Sequence, residues 1–481
     1  MNMIAKDMRY VLAASVLALS VLATGCRDKD SRRAVSDTAT SEKMDETFSL
    51  QFKAEDGKKI EAESRLADID YIAKDDSIHT RKISIFLPTE VEGKVPVLFC
   101  AHYETSKDSY LVHRALADGI GVACPAFFPP EANATMTDDD LVFNNAALWY
   151  VRNLPEVDPT RVAVFGGSAG GYMTLMLESL HMGLCAASAS SPVANVYFNM
   201  KVHFQAANEE NLKARADGLN APMNILGSIY ESFIPILENF DGDNDIARYE
   251  TLSPVGLAQC VSAPTLINHF TSDMLVPVDQ VSRKYTYEKD GSSVPKGFTT
   301  RMSPDLPGIL GRSYEEQIPE GRGVSRCIPV YDIDADIVHP YDPAKLINID
   351  IYDDGPAEAY SSHRRAYGKG NIDDYPFLKD MVTRSLAQTE ILIPEKLVLL
   401  LERFQGRSVQ LPVRKGVDRT VYGSPEIYRK EVVEELSLWA SCHSLEELEE
   451  GMTGAIGDDK GLGKTWKQVR RQVRKCLKTT K

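Results

Sequence analysis

A buried strand that must turn sharply into a helix around a serine constrains this chain more than any other feature. Val162 to Phe165 form a short, continuous apolar run, the pattern of a strand covered on both faces. Gly166-Gly167-Ser168-Ala169-Gly170 follows, and then Met173, Met176, Leu177 and Leu180 recur at helical spacing. In a G-x-S-x-G turn the serine sits in a strained backbone conformation, so the residues two before and two after it must be small. The helix N-terminus then lies under the serine and favours developing negative charge. Strand before and helix after predict that Ser168 is a nucleophile, rather than a chance serine in a glycine-rich turn.

Strand and helix character alternate on either side of this turn. Residues 48–52 and 82–87 alternate apolar and polar side chains and, with 67–72, predict an antiparallel entry to a sheet. Buried strands are expected at 95–101 and 119–124, and a helix at 138–154, where three aspartates suit the N-terminus. A further run covers 185–190, strand character resumes at 263–270, and 347–352 reads as the last strand. Two stretches break the pattern. Residues 192–252 are rich in Asn, Met and aromatics and read as a cap inserted over the catalytic face. Residues 291–346 are dense in Pro, Gly and Arg with little periodicity and read as a second insertion. The alternation predicts an α/β fold with a mostly parallel sheet covered by helices on both sides. A main domain over 48–375 is expected, followed by a mainly helical extension over 376–481.

The ends carry different information. Lys6 and Arg9 precede an apolar run over 11–23 that is too short to span a bilayer comfortably, and the run ends Leu22-Ala23-Thr24-Gly25-Cys26. That resembles a bacterial lipoprotein signal over 1–25, which implies lipidation of Cys26 and a location in the cell envelope, facing the periplasm or the outside. Residues 26–47 are polar and charged without apolar periodicity and read as a disordered tether. At the other end, 460–481 hold nine Lys or Arg and no acid, with Trp466, Val469, Val473 and Leu477 on one face. A terminal helix packed on the domain with a solvated basic face is preferred over a helix that touches an anionic membrane or polymer. The net charge of −15 argues against general nucleic-acid binding. Besides Cys26 there are seven cysteines without a C-x-x-C pair. Cys100 and Cys124 read as buried thiols. No metal-ligand spacing is present, and no cofactor is expected.

A serine nucleophile needs a base and a carboxylate to orient it. Pro264 to His269 read as a strand, and Phe270-Thr271-Ser272-Asp273 and Val276-Pro277 follow. Together with the Ser168 turn, this is similar to α/β-hydrolases of the prolyl-oligopeptidase and acyl-esterase group. Members carry His-Gly-x-x-Asp and then Val-Pro after the seventh strand. Here His269-Phe270-Thr271-Ser272-Asp273 matches, with Phe270 in place of the glycine. The resemblance covers about 48–364 and implies an α/β-hydrolase fold with Asp273 as the acid. It also implies a histidine after the last core strand. His363 meets that condition and is favoured, His339 is the alternative base, and His443 lies in the helical tail. The Ala169 backbone N–H is the expected oxyanion donor, joined by Tyr103 in the loop 101–104, where many relatives have His-Gly. The implied activity is serine-dependent hydrolysis of an acyl ester, a small molecule or a polysaccharide. Prolyl-oligopeptidase-type peptidases carry a large propeller before the hydrolase, and only some tens of residues precede Phe48, so ester is expected over peptide. A peptidase or amidase without a propeller is one alternative. A non-catalytic surface lipoprotein that binds a partner is the other.

Overall fold

Apolar alternation along the strands decides the architecture. The strands are β1 (Glu46–Lys53), β2 (Lys59–Ile72), β3 (Ile78–Pro88), β4 (Val95–Cys100), β5 (Gly121–Pro125), β6 (Val157–Gly167), β7 (Ala186–Ser190), β8 (Thr265–Phe270), β9 (Gly323–Pro329), β10 (Ile337–Val338), β11 (Ile347–Asp353) and β12 (Ile372–Asp373). The computed structural model describes residues 46–53, 57, 59–126, 136–216, 246–271, 273, 275–285, 302–329, 337–353, 372–384 and 386–479. The signal-like segment, Cys26 and His363 lie outside them. Ten strands form one sheet in the order β1-β2-β3-β5-β4-β6-β7-β8-β11-β9, and β10 pairs with β12 separately. The entry β1-β2-β3-β5 is antiparallel. From β5 onward every pairing is parallel.

Helices cover both faces. Val97 and Phe99 of β4 point into a core shared with α2 (Asp138–Arg152) and α3 (Ala169–Leu180), which contribute Leu141, Tyr172 and Met173. The alternate residues Leu98 and Cys100 point the other way, against α1 (Tyr110–Ala117) and α4 (Tyr375–Thr383). The period of two along one strand thus serves two layers. The α/β-hydrolase fold expected from the sequence is the fold observed. One element differs from expectation. The stretch 291–346 holds an ordered edge strand, β9, beyond β11. Its residues are mostly half-buried, and Arg326 within it is tied to Asp350 at 2.6 Å. An edge strand of that kind lacks the apolar run that marks a central one.

The C-terminal helices α5 (Pro394–Gln405), α6 (Pro425–Cys442), α7 (Leu445–Ile456) and α8 (Lys460–Thr479) share a core of Leu400, Leu436, Trp439, Met452, Trp466 and Val469. No helix among the described residues is long and apolar enough to cross a membrane. Cys100 and Cys124 are buried free thiols; burial pushes Cys100 up to about 11.

Buried charge joins this bundle to the end of α3. Lys396, 1% exposed, donates to the Glu178 and His181 carbonyls and to Ser262 Oγ. Nearby, Arg403 donates to Glu435 at 2.8 Å, and His181 Nδ1 lies 2.5 Å from the same carboxylate. Tyr422 donates to Glu431, and Arg152 flanks Glu435. His181, Glu431 and Glu435 have donor atoms within 4.8 Å of one another, a composition that could hold a metal ion. The guanidinium groups of Arg403 and Arg152 already supply the positive charge there, so the group reads as a buried ionic lock.

The lock has a pH signature. Burial pushes Glu431 up to about 8. Burial acts on Glu435 too, but Arg403 and His181 overcome it and hold this carboxyl down at about 2. Glu431 keeps a proton in the fold that the unfolded chain has lost, so its contribution is present below the ordinary carboxylate range and is lost as pH rises through about 8. His181, pushed down to about 4 by burial, acts oppositely and offsets the slope below about pH 6.5. Thermal stability is therefore expected to fall between about pH 6.5 and 8, and Glu431→Gln should flatten that limb in melting curves. An unchanged slope in the variant would remove Glu431 as its source.

Candidate active site

Ser168 stands at the carboxyl end of β6, with φ 56° and ψ −121°. Few residues adopt that conformation, and it costs about 1–3 kcal/mol. Its N–H donates to Ser190 O at 2.8 Å, and its carbonyl accepts from Tyr172 N–H as α3 begins. The small residues flanking it are required by contact. A Cβ on Gly166 would lie 2.7 Å from the Gly170 backbone, and one on Gly170 would lie 2.9 Å from Ala101 O. Strand, bend and helix are thus pressed together until the serine is the side chain left at the apex.

The loop after β4 comes to the same apex. Burial pushes the Tyr103 phenol up to about 12, against hydrogen bonds from the Ser168 hydroxyl and the Ala169 backbone N–H. Phenol, hydroxyl and amide therefore converge. The backbone that delivers Tyr103 is itself strained. His102 has φ 73°, and Tyr103 N–H donates to Ala101 O at 2.9 Å. A three-residue turn with positive φ at its centre is rare. It is held by Asn144 of α2, whose Oδ1 accepts from His102 N–H at 2.9 Å and whose Nδ2 donates to Asp140 O at 2.8 Å. The His102 ring is buried, which pushes its pKa down to about 3 and keeps the imidazole neutral. It stacks edge-on against Tyr103 with 4.5 Å between centroids. Sequence reasoning did not single out Asn144. Its only local signal is a polar residue on a helix face otherwise lined by Leu141, Ala147, Leu148 and Val151.

Asp273 is buried in the turn after β8. Its Oδ1 accepts from Leu275 N–H at 3.0 Å and Val276 N–H at 2.9 Å. β8 lies beside β11, and Thr271 N–H donates to Tyr352 O at 2.9 Å. β11 ends at Asp353, beside the end of β8 that leads to Asp273, and His363 lies outside the described residues. His339 is buried beside β11: its Nδ1 lies 2.7 Å from the Tyr352 hydroxyl and 3.6 Å from Asp350 Oδ2. Its described partners include neither Ser168 nor Asp273. His269 is buried at the end of β8, its Nδ1 accepting from Phe270 N–H at 2.9 Å.

Residues 136–221, which contain α2, the Ser168 bend and α3, match the sequence model of the Prolyl oligopeptidase family. Over that stretch, which holds the Ser168 bend, the chain is similar to the family. Solved structures similar to this chain include both esterases and peptidases. An acetyl xylan esterase from Paenibacillus sp. R4 is 14% identical, with 70% of this chain and 89% of that one covered and a TM-score of 0.38. A puromycin hydrolase is 14% identical over 74% of this chain and 39% of its own, with a TM-score of 0.35. An acylaminoacyl peptidase from Pyrococcus horikoshii is 15% identical over 68% of this chain and 40% of its own, again with a TM-score of 0.35. The chain thus spans about two fifths of these two longer proteins. No curated protein matches it.

Proposed function

We propose that this hydrolase cleaves acyl esters through an acyl-enzyme on Ser168. His363 takes the hydroxyl proton as Ser168 Oγ attacks the ester carbonyl. Asp273 orients the imidazole and stabilises its charged form. The Ala169 N–H and the Tyr103 phenol hold the oxyanion. The tetrahedral intermediate collapses, the ester C–O bond breaks, and His363 gives its proton to the leaving alcohol. Water, deprotonated by the same imidazole, then releases the acid. The observation that carries this reading is the convergence of the Ser168 hydroxyl, the Ala169 N–H and the Tyr103 phenol at a strained bend. Ester is taken ahead of peptide as the substrate class to test first.

A fluorophosphonate probe, with the adduct mapped by peptide mass, tests the nucleophile. Turnover of acyl esters against aminoacyl anilides then tests the substrate class. A larger kcat/KM for the ester is expected. Faster anilide cleavage would transfer the reading to a peptidase. Inertness to probe and both substrates would leave a partner-binding protein built on a hydrolase fold.

The strained turn at His102 has a consequence for rate. Asn144→Ala leaves the His102 N–H buried without its acceptor and frees the turn that aims Tyr103. A drop in kcat of about 10²-fold with little change in KM is expected, since displacements near 1 Å cost that much. Asn144→Asp keeps an oxygen acceptor and should restore most of the rate in steady-state assays. Equal kcat in all three proteins would show that Tyr103 is aimed by other contacts.

A further inference from the structure

The acidic balance of the chain is interrupted on one helix. Lys460, Lys464, Lys467, Arg471, Lys475 and Lys478 of α8 recur at intervals of three and four residues. At about 100° per residue they occupy a sector of about 80°, and at about 1.5 Å per residue they form a row about 27 Å long. All six are exposed. The opposite face, Leu462, Trp466, Val469 and Val473, is buried in the bundle core. Arg470 and Arg474, on one flank of the row, are both taken by Glu449 of α7. Among the described residues, no carboxylate lies within ion-pair distance of the six. The helix contains no acid at all. Like charges at this spacing repel and weaken the helix, and interleaved glutamates would have relieved them.

We propose that this row rests on the anionic headgroups of a phospholipid bilayer. Charge complementarity names an anionic partner, and the straight, single-faced row fits a plane, where all six cations engage together. No aromatic residue interrupts the row, so it offers no stacking platform for the bases of a single-stranded nucleic acid. No apolar side chain on it is available to enter the acyl layer, because the apolar face is consumed by the bundle. The attraction is electrostatic and falls with salt. It would act alongside any lipid anchor on Cys26 and set how the domain faces the bilayer.

The test uses the full chain with Cys26→Ser, so that no acyl chain contributes, on vesicles of phosphatidylcholine alone and of phosphatidylcholine mixed with phosphatidylglycerol. Co-sedimentation should be about 10²-fold stronger on the mixed vesicles. The gain should vanish in high salt, where the screening length falls to about 3 Å. It should also vanish in Lys464→Glu/Lys467→Glu/Arg471→Glu/Lys475→Glu, with the probe reaction at Ser168 unchanged. The milder change of the same four residues to Gln guards against misfolding and should leave an intermediate gain. Equal partition on both vesicles, or a gain that survives charge reversal, would overturn the proposal. So would a row-dependent affinity for polygalacturonate or duplex DNA without any gain on phosphatidylglycerol.

Discussion

Replacing Ser168 by alanine is expected to abolish fluorophosphonate labelling and to lower kcat for an acyl ester by about 10⁶-fold. The size follows from the division of labour at the bend. Without Oγ no covalent intermediate forms, and what remains is the help that the Ala169 N–H and the Tyr103 phenol give to direct attack by water. The fold should survive, because the strain at φ 56° belongs to the backbone and alanine meets it as serine does. Melting temperature and circular dichroism should therefore match the parent. Labelling that persists in Ser168→Ala would place the nucleophile elsewhere and remove the proposed mechanism. The two histidines separate in the same assays. His363→Ala should fall nearly as far as Ser168→Ala, because nucleophile and base act as a unit. His339→Ala should instead reduce stability by about 1–3 kcal/mol, since it strands the buried Tyr352 hydroxyl that His339 now meets. Loss of activity in His339→Ala alone would reverse the assignment of the base.

What the sequence made legible was local. The apolar run before Ser168, the small residues around it and the helical spacing after it are contiguous, and each answers to a rule of short range. The same holds for the apolar face of α8, where Trp466, Val469 and Val473 are buried as their spacing predicts. Features that depend on distant partners were not legible. Glu431 and Glu435 sit among charged neighbours on α6, yet His181 of a different layer and Arg403 of α5 meet them in the interior. Asn144 and His102 are far apart in the chain, and neither carries a mark of the other. β9 escaped notice because an edge strand satisfies one side only, so its half-buried Gly-Val-Ser-Arg-Cys-Ile-Pro shows no run of buried apolar residues. Short-range rules thus singled out the Ser168 bend, whereas the contacts around Tyr103 and Asp273 came from tertiary packing.

Asp273→Asn is expected to lower kcat by about 10⁴-fold while leaving the turn intact. The contrast arises because the proposed mechanism gives the carboxyl a second task, separable from the one the turn shows. Oδ1 holds the turn by accepting from Leu275 and Val276 N–H. An amide oxygen can accept from both in the same way, so the backbone after β8 keeps its course. The other half of the group changes from an acceptor to a donor. An imidazole that must present Nδ1–H to it would then meet a donor and turn to the wrong tautomer, and general-base catalysis would collapse with little effect on KM. Asp273→Ala supplies the control. It removes the acceptor as well and should add a stability loss of about 0.5–2 kcal/mol, the size of a lost capping interaction. If Asp273 served the turn alone, Asp273→Asn would be silent in kcat and only Asp273→Ala would be impaired, through stability. Paired measurements of kcat and melting temperature on the two variants distinguish these outcomes without any assumption about which histidine is the base.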